Sequence, residues 1–317
     1  MFELFNPLDF NDPALYAIPG FVLLILIELY FYILKKVKPN KAYFKDGFAS
    51  IGLGLGSVFL DIPVKAISVG YLLFFYNHFR IFDTLGPTNT VDFIDFYFHW
   101  NQWWIWALCL ILQDFAFYWH HRLSHEIRIL WAAHVNHHSS MNYNLATALR
   151  QSWLELLYKD MWYIPLAILG FHPLLILTLH QINLIYQFWP HTEMIKKLPK
   201  WYEYIFNTPS HHRVHHSSNI KYLDKNYGGI LIIWDRLFGS FEAEDPNEKC
   251  IYGITTNIHT NNLLKITFHE VQNIIHDVKN APTLKDKINY LIQSPGWSHN
   301  GTDQRAKTLQ KQLRDDL

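Results

Sequence analysis

Cysteine is almost absent from this chain of 317 residues, which has two copies, Cys109 and Cys250. They lie far apart and form no C-x-x-C pair. Both a disulfide framework and a thiolate metal site need several cysteines at short or regular spacings, so the sequence excludes them. Any metal site must therefore use other ligands.

An excess of charge of either sign is also missing. Lysine and arginine number 27, as do aspartate and glutamate, so the formal net charge is zero. Proteins that bind nucleic acid usually carry a basic excess that neutralises phosphates. The balance of charge therefore predicts no nucleic-acid partner.

Apolar residues are abundant, and they are concentrated in four runs. Half of the residues are hydrophobic and 17% are aromatic. About 20 apolar residues are enough to cross a hydrocarbon core of about 30 Å. The sequence therefore predicts an all-α integral membrane protein with about four membrane-embedded helical segments. The runs are 17–34, 48–75, 100–119 and 161–189.

Basic residues predict the orientation of these segments. The loop 35–45 has five lysines, whereas 79–99 has Arg80 as its only basic residue. The positive-inside rule therefore places the first loop in the cytoplasm. Histidines before and after 161–189 must share one side of the membrane, so this run is predicted to be a hairpin that turns at 171–173. The residues after about 190 are then expected to form a cytosolic helical cap.

Histidine is the residue type that stands out, with 19 copies, of which 13 fall between His120 and His216. Three segments have helical spacing: HRLSH (121–125), HVNHH (134–138) and HRVHH (212–216). Residues three and four apart share one face of a helix, so the imidazoles of each segment are expected to project together. The eight histidines are His121, His125, His134, His137, His138, His212, His215 and His216.

Neutral imidazole is a common ligand of iron, zinc, copper and nickel. Eight imidazoles exceed the ligands of one ion and indicate two ions. A nitrogen donor set without thiolates fits non-haem iron, and zinc would also bind it. The sequence therefore predicts a histidine-rich di-metal site. His120 and His211 lie out of frame, so they are interpreted as neighbours of the ligands at most.

Two acidic residues near the boxes are candidates for the catalytic machinery. Asp114 shares a helix face with His121 and His125, and an acid inside an apolar helix is costly and usually functional. We expect it to accept a hydrogen bond from the Nδ1–H of a ligand histidine. Glu126 is interpreted either as a partner of a ligand imidazole or as a surface acid paired with Arg122.

The three boxes resemble the fatty acid hydroxylase/sterol desaturase superfamily of membrane di-iron oxygenases. The flanks HHSSMNYNLATALRQS (137–152), QFWPHTE (187–193) and DKNYGGILIIWDRLFGSFEAE (224–244) are similar to the alkylglycerol monooxygenase family. The resemblance implies two iron ions, O₂, a membrane lipid substrate and an electron donor, either a pterin or a redox protein. It implies hydroxylation beside the ether oxygen of an alkylglycerol, with tetrahydropterin as the reductant. Asn144, Thr147 and Arg150 would then be candidate contacts of the lipid head.

A ninth ligand is expected between the second and third boxes. Related hydroxylases have a box of H-x-x-x-H type there, which in this chain reads QFWPH, with Gln187 first and His191 retained. His180, Asn183, Gln187 and His191 also form one polar stripe, which must face protein because lipid cannot satisfy it. We expect His191 to bind metal and Gln187 to support it. The alternative is a histidine that caps the helix end beside Pro190.

These features divide the chain into three regions: N-terminal transmembrane helices and loops at 1–99, a di-iron core at 100–250, and a polar cytosolic tail at 251–317. The expected location is a multi-pass position in the bacterial inner membrane or the endoplasmic reticulum, with the site on the cytoplasmic face. One alternative function is a fatty acid or sterol hydroxylase or desaturase. Two further alternatives are a membrane zinc hydrolase and a metal transporter. The sequence has no H-E-x-x-H motif, which counts against the hydrolase.

Overall fold

The computed structural model describes residues 13–34, 39–87, 96, 102–301 and 303–316. Over these residues the chain forms α-helices and short 3₁₀ helices, and the only β pairing among them is two isolated bridges. The all-α class predicted from the sequence is confirmed for this part of the chain.

The described residues contain twelve α-helices, which we number in chain order. They are α1 (Pro13–Leu34), α2 (Lys41–Phe79), α3 (Trp103–Glu126), α4 (Arg128–His138), α5 (Ile164–Leu169), α6 (Pro173–Phe188), α7 (Lys200–Ile205), α8 (Pro209–His215), α9 (Ile233–Leu237), α10 (Leu263–Asn280), α11 (Leu284–Ile292) and α12 (Ala306–Asp315).

Two of these helices, α1 and α2, are long and apolar enough to cross a membrane. The run 48–75 lies within one continuous helix, α2, which passes through Pro63. Large apolar side chains on α2 are exposed, among them Phe59 at 74% and Ile67 at 67%. An apolar surface of this kind would be costly in water and is expected to contact lipid. The helices therefore indicate a membrane protein, while the number of membrane segments stays a prediction.

The fourth apolar run is broken where the sequence predicted a turn. α5 ends at Gly170, which has a φ of 115°, and a Cβ at this position would collide with the carbonyl of Phe82. Only glycine adopts this conformation without strain. α6 then begins at Pro173, and the His172 Nδ1 accepts a hydrogen bond from the Leu174 amide at 3.2 Å. Residues 164–188 therefore form two helices that meet at a tight turn.

The core that supports the histidines lies between α2, α3, α5 and α6. Leu72, Ile105, Cys109, Phe171 and Leu175 are fully buried within it. Box one lies at the end of α3, and Ile127 alone separates α3 from α4, which carries box two. This short connection places the first two boxes next to each other.

Candidate metal centre

All nine histidines predicted as metal ligands lie together, in two adjoining groups. Each side chain offers one ring nitrogen, and within a group these nitrogens lie within 4.8 Å of one another. The rings are buried, that of His137 less fully than the others. The first histidine group is His121, His125, His134, His138 and His215, and the second histidine group is His137, His191, His212 and His216.

The two H-x-x-H-H boxes are each divided between the groups. In HVNHH the first and last histidines belong to the first group, and His137 belongs to the second. In HRVHH the order is reversed, and only His215 joins the first group. Adjacent helical residues point about 100° apart, so the neighbours at the end of each box face different centres. The expectation that each box projects toward one common point is therefore wrong.

In the second histidine group the Nε2 atoms converge. The Nε2 of His191 lies 3.1 Å from that of His137 and 3.0 Å from that of His212. The Nε2 of His216 lies 3.2 Å from that of His212. A neutral imidazole donates through one nitrogen only, so such a cluster cannot satisfy every member by hydrogen bonds. A metal ion at its centre could accept all four lone pairs.

The first histidine group has the same character. The Nε2 atoms of His121 and His134 lie 3.1 Å apart. The buried Nε2 atoms of His125, His138 and His215 have no hydrogen-bond partner. Buried polar atoms without a partner are rare and need a cause. Five nitrogens that converge in this way fit a metal ion.

The outer nitrogens of several rings are held by backbone carbonyls. The Nδ1 of His121 lies 2.8 Å from the Tyr227 carbonyl, that of His215 lies 2.9 Å from the Lys225 carbonyl, and that of His191 lies 2.8 Å from the Gln187 carbonyl. A carbonyl can only accept, so Nδ1 carries the proton and donates it. The lone pair is then on Nε2 and faces the centre of the group, as in histidines that bind metals.

Burial also keeps these rings neutral. It lowers the pKa of His191 to about 4 and that of His215 to about 3. Burial and then the neighbouring imidazoles hold the pKa of six further members well below the ordinary value. At neutral pH the rings are therefore in the form that can bind a metal ion.

The region that contains the two histidine groups is similar to known lipid hydroxylases. Residues 106–240, which include all nine histidines, match the family model described as fatty acid hydroxylase. The chain is 40% identical over 283 residues to alkylglycerol monooxygenase of Homo sapiens and 30% identical over 318 residues to alkylglycerol monooxygenase of Caenorhabditis elegans. The resemblance predicted from the histidine boxes and their flanks is confirmed.

The two alignments cover 89% and 93% of this chain but 59% of each relative, so the chain spans about three fifths of their length. Ornithine lipid hydroxylase OlsE of Rhizobium tropici is 31% identical over 48% of this chain and 46% of its own length. No solved structure matches the chain.

Asp114 supports the fold of the region 106–240 and holds no ligand histidine. Its carboxylate accepts hydrogen bonds from the amides of Ile230 (2.8 Å) and Leu231 (3.1 Å). It also accepts from the Trp234 Nε1 and the Asn183 Nδ2, both at 2.9 Å. These four donors occupy both oxygens, so the expectation that Asp114 anchors a ligand imidazole is wrong. The acid ties α3 to α6 and to the loop before α9.

Glu126 is paired with Arg122, as in the second of the two interpretations given above. It accepts from the Arg122 Nε at 3.2 Å and lies 3.9 Å from the Lys307 Nζ. It makes no hydrogen bond to a ligand imidazole among the described residues. The carboxylate is paired with Arg122 and Lys307 and not with a histidine of the candidate centre.

Two acids that sequence reasoning missed lie beside the ligands instead. The Glu155 carboxylate is 3.4 Å from the His134 Nδ1 and 3.3 Å from the His120 Nε2. The Asp224 carboxylate is 3.6 Å from the His125 Nδ1. Glu155 could have been predicted as a site residue, because it lies in the apolar stretch WLELL (153–157) and an acid in such a stretch usually has a function. His120 is itself buried beside the Glu155 carboxylate.

His191 fits both interpretations of the sequence. α6 ends at Phe188, so His191 lies in the following turn and not on the helix as predicted. Its Nδ1 caps the Gln187 carbonyl while its Nε2 joins the second histidine group. The Gln187 amide donates to the Asn183 Oδ1 at 2.6 Å, so Gln187 supports His191 through its backbone. His211 is buried against Phe241, outside both groups.

The predicted contacts of the lipid head are internal. Arg150 is 1% exposed and donates to the Asn136 carbonyl at 3.0 Å and to the Asp46 carboxylate at 3.2 Å. Asn144 and Thr147 form a capping box at the start of a 3₁₀ helix, Leu145–Leu149. Their polar groups are used within the fold, so the headgroup role predicted for them is wrong.

Proposed function

We propose that this protein is a membrane-bound, O₂-dependent lipid monooxygenase with two iron ions in the two histidine groups. The observation that carries the proposal is the convergence of five and four neutral imidazole nitrogens in two adjoining buried groups. A hydrolytic zinc site normally uses three protein ligands, so nine histidines favour the oxygenase over a zinc hydrolase. All nine lie within 100–250, which we propose as the catalytic core.

The proposed substrate is an ether lipid of the alkylglycerol class. The relatives that align over most of this chain are named alkylglycerol monooxygenases. Shorter stretches are similar to a lipid hydroxylase and to cholesterol 25-hydroxylase of Mus musculus. A fatty acid or a sterol is therefore the alternative substrate. Insertion of one oxygen atom of O₂ and reduction of the other to water consume two electrons, for which a tetrahydropterin is the proposed donor.

When bound, two iron ions would supply the activation of O₂ that an alkyl C–H bond requires. The residues of this chain orient the ligands and exclude water. Backbone carbonyls of residues 225 and 227 hold two rings in one tautomer. The Asp235 carboxylate fixes that loop by accepting from the amides of Tyr227 and Gly228, both at 2.7 Å. The rings of Trp131 and Tyr143 pack against the two groups and close them to solvent.

The site is proposed to face the cytoplasm at the depth where α3 leaves the membrane. α1 and α2 are the helices best suited to span the bilayer, and the lysine-rich loop between them supports the orientation. A cysteine introduced at Ile220 is expected to react with an impermeant reagent only from the cytosolic side. Reaction from the opposite side alone would contradict the orientation.

The substrate and the metal can be tested in one preparation. Iron-loaded membranes are incubated with an alkylglycerol, a free fatty acid and a sterol, each with and without tetrahydropterin, and products are identified by mass spectrometry. Pterin-dependent oxidation of the alkylglycerol is expected, with about two irons bound per chain. His137→Ala should abolish turnover, whereas His276→Ala, on the exposed side of α10, should not. One zinc per chain and no oxidation of any lipid would contradict the proposal.

A further inference from the structure

A cluster of exposed apolar side chains lies on α7 and at the end of α9, two short helices within residues 106–240. We call it the α7–α9 patch. Its members range from 36% to 68% exposed, although large aromatic and aliphatic side chains usually pack inside a protein. They are Trp201, Tyr204, Ile205, Leu237 and Phe238.

The two helices form one surface because several bonds join them. The Ile232 amide donates to the Ile205 carbonyl at 2.9 Å. The Arg236 guanidinium donates to the carbonyls of Tyr204 and Glu203, both at 3.1 Å. It also stacks over the Tyr204 ring at 4.8 Å. The patch is therefore held in shape by the fold and is not a pair of loose side chains.

The patch continues the exposed apolar face of α3. Trp104, Leu108 and Ile111 are 40%, 37% and 45% exposed and share one helix face. Further along α3, the Trp119 ring lies 5.1 Å from the ring of Phe238. The surface expected to contact lipid therefore runs from α3 directly onto α9.

Lysines border the patch, and the two acids of the same segment are engaged within the protein. Lys196, Lys197 and Lys200 are exposed just before and at the start of α7, and the Lys197 Nζ also donates to the Glu244 carbonyl at 2.8 Å. In the same segment Glu203 accepts from the Ser210 hydroxyl at 2.9 Å, and Glu193 accepts from the Tyr252 hydroxyl at 3.2 Å. Both acids are engaged inside the protein. The border therefore carries positive charge toward the outside, where it would meet anionic headgroups.

We propose that the α7–α9 patch is immersed in the interfacial layer of the bilayer, with the three lysines at the level of lipid phosphates. Tryptophan and tyrosine favour that layer, and lysines beside them reach the headgroups. The cap predicted to be cytosolic then has one side in the membrane. Because α8, which carries His212 and His215 of box three, lies between α7 and α9 in the chain, this contact holds box three close to the bilayer surface.

Depth measurements on the full-length protein in nanodiscs test the proposal. In a background with Cys109→Ala and Cys250→Ala, single cysteines at Leu237, Phe59 and Ile251 carry an environment-sensitive fluorophore. Ile251 is the matched control for Leu237, since the two side chains are 62% and 68% exposed, and Phe59 lies on α2. The Ile251 amide donates to the Asn219 side chain, which in turn donates to Glu248, so Ile251 lies in polar surroundings. A lipid with a quencher near its headgroup is expected to quench the label at Leu237 and leave that at Ile251 unchanged. A lipid with a quencher on its acyl chain is expected to quench the label at Phe59, which lies near the middle of α2.

Quenching at Phe59 by the acyl-chain quencher shows that protein prepared in this way is embedded, so a lack of headgroup quenching at Leu237 under the same conditions would overturn the proposal. Equal quenching at Leu237 and Ile251 would overturn it as well. Anionic lipid should increase quenching at Leu237, and replacement of Lys196, Lys197 and Lys200 with glutamine should abolish that increase. An increase that survives the replacement would contradict the role of the lysines. None of these readouts depends on turnover, so they are independent of the proposed enzymatic function.

Discussion

Replacement of Asp114 with alanine removes the acceptor of four hydrogen bonds at once. The donors are the amides of Ile230 and Leu231, the Trp234 Nε1 and the Asn183 Nδ2. Only the last of these has another acceptor, the Gln113 Oε1 at 2.9 Å. Alanine cannot accept, and Asp114 is fully buried, so water cannot easily replace the carboxylate.

The size of the effect follows from these contacts. Three donors left unpaired would cost about 1–3 kcal/mol each. Removal of a buried carboxylate also removes the cost of its desolvation, which offsets part of this loss. We therefore expect the free energy of unfolding to fall by about 3–5 kcal/mol, as when a buried ion pair is broken. With an unfolding entropy of about 2.1 cal/mol/K per residue, such a loss lowers the midpoint of heat unfolding of this chain by about 5–8 °C.

The assay is thermal unfolding of the purified protein in detergent, read together with turnover. Asp83→Ala is the matched control, because its side chain is 75% exposed and its loss should change stability by less than about 0.5 kcal/mol. Asp114→Asn should fall between the two, since its amide oxygen still accepts. An unchanged midpoint for Asp114→Ala, with turnover lost, would refute the scaffold role and return Asp114 to the catalytic machinery.

Three further predictions concern the histidine groups. His191→Ala should lower bound metal by about one to two ions per chain, because three ligands remain in its group and the other group depends on the same helices, while His172→Ala should not; full metal content in His191→Ala, by elemental analysis, would exclude it as a ligand. Glu155→Gln should weaken metal binding about 10–100-fold in a chelator competition, since it removes a carboxylate partner of a ligand ring, and unchanged affinity would contradict that role. Removal of metal by a chelator should lower the unfolding midpoint, because buried ring nitrogens lose their partners; an unchanged midpoint would count against metal in the native state.

The sequence predicted which histidines come together better than it predicted how they are arranged. Spacing of three and four residues marks a helix face, and that local rule brought eight imidazoles into one site. The division of each box between two groups depends on how α4 and α8 face each other, which spacing within a box does not contain. His191 was found through the family pattern, but its place beyond the end of α6 depends on Pro190.

The acids show the limit more clearly. Asp114 was chosen because it shares a helix face with two ligands inside an apolar helix, and Glu126 because it directly follows His125. Their partners nevertheless include Ile230 and Lys307, far along the chain. Glu155 was missed because its contact with His134 depends on the fold of the segment between box two and α5. An isolated sequence shows that a buried acid needs partners, but it does not show which ones.

The interleaving of the two groups affects how the centre would be assembled. α4 and α8 each supply ligands to both groups, so an ion bound in one group fixes the two helices at the positions that the other group requires. Binding of the first ion already supplies most of the free energy needed to order α4 and α8, so the second ion binds more tightly. This is positive cooperativity. Titration of metal-free protein is therefore expected to be sigmoidal, with few molecules that hold one ion. The two ions would load and leave as a pair.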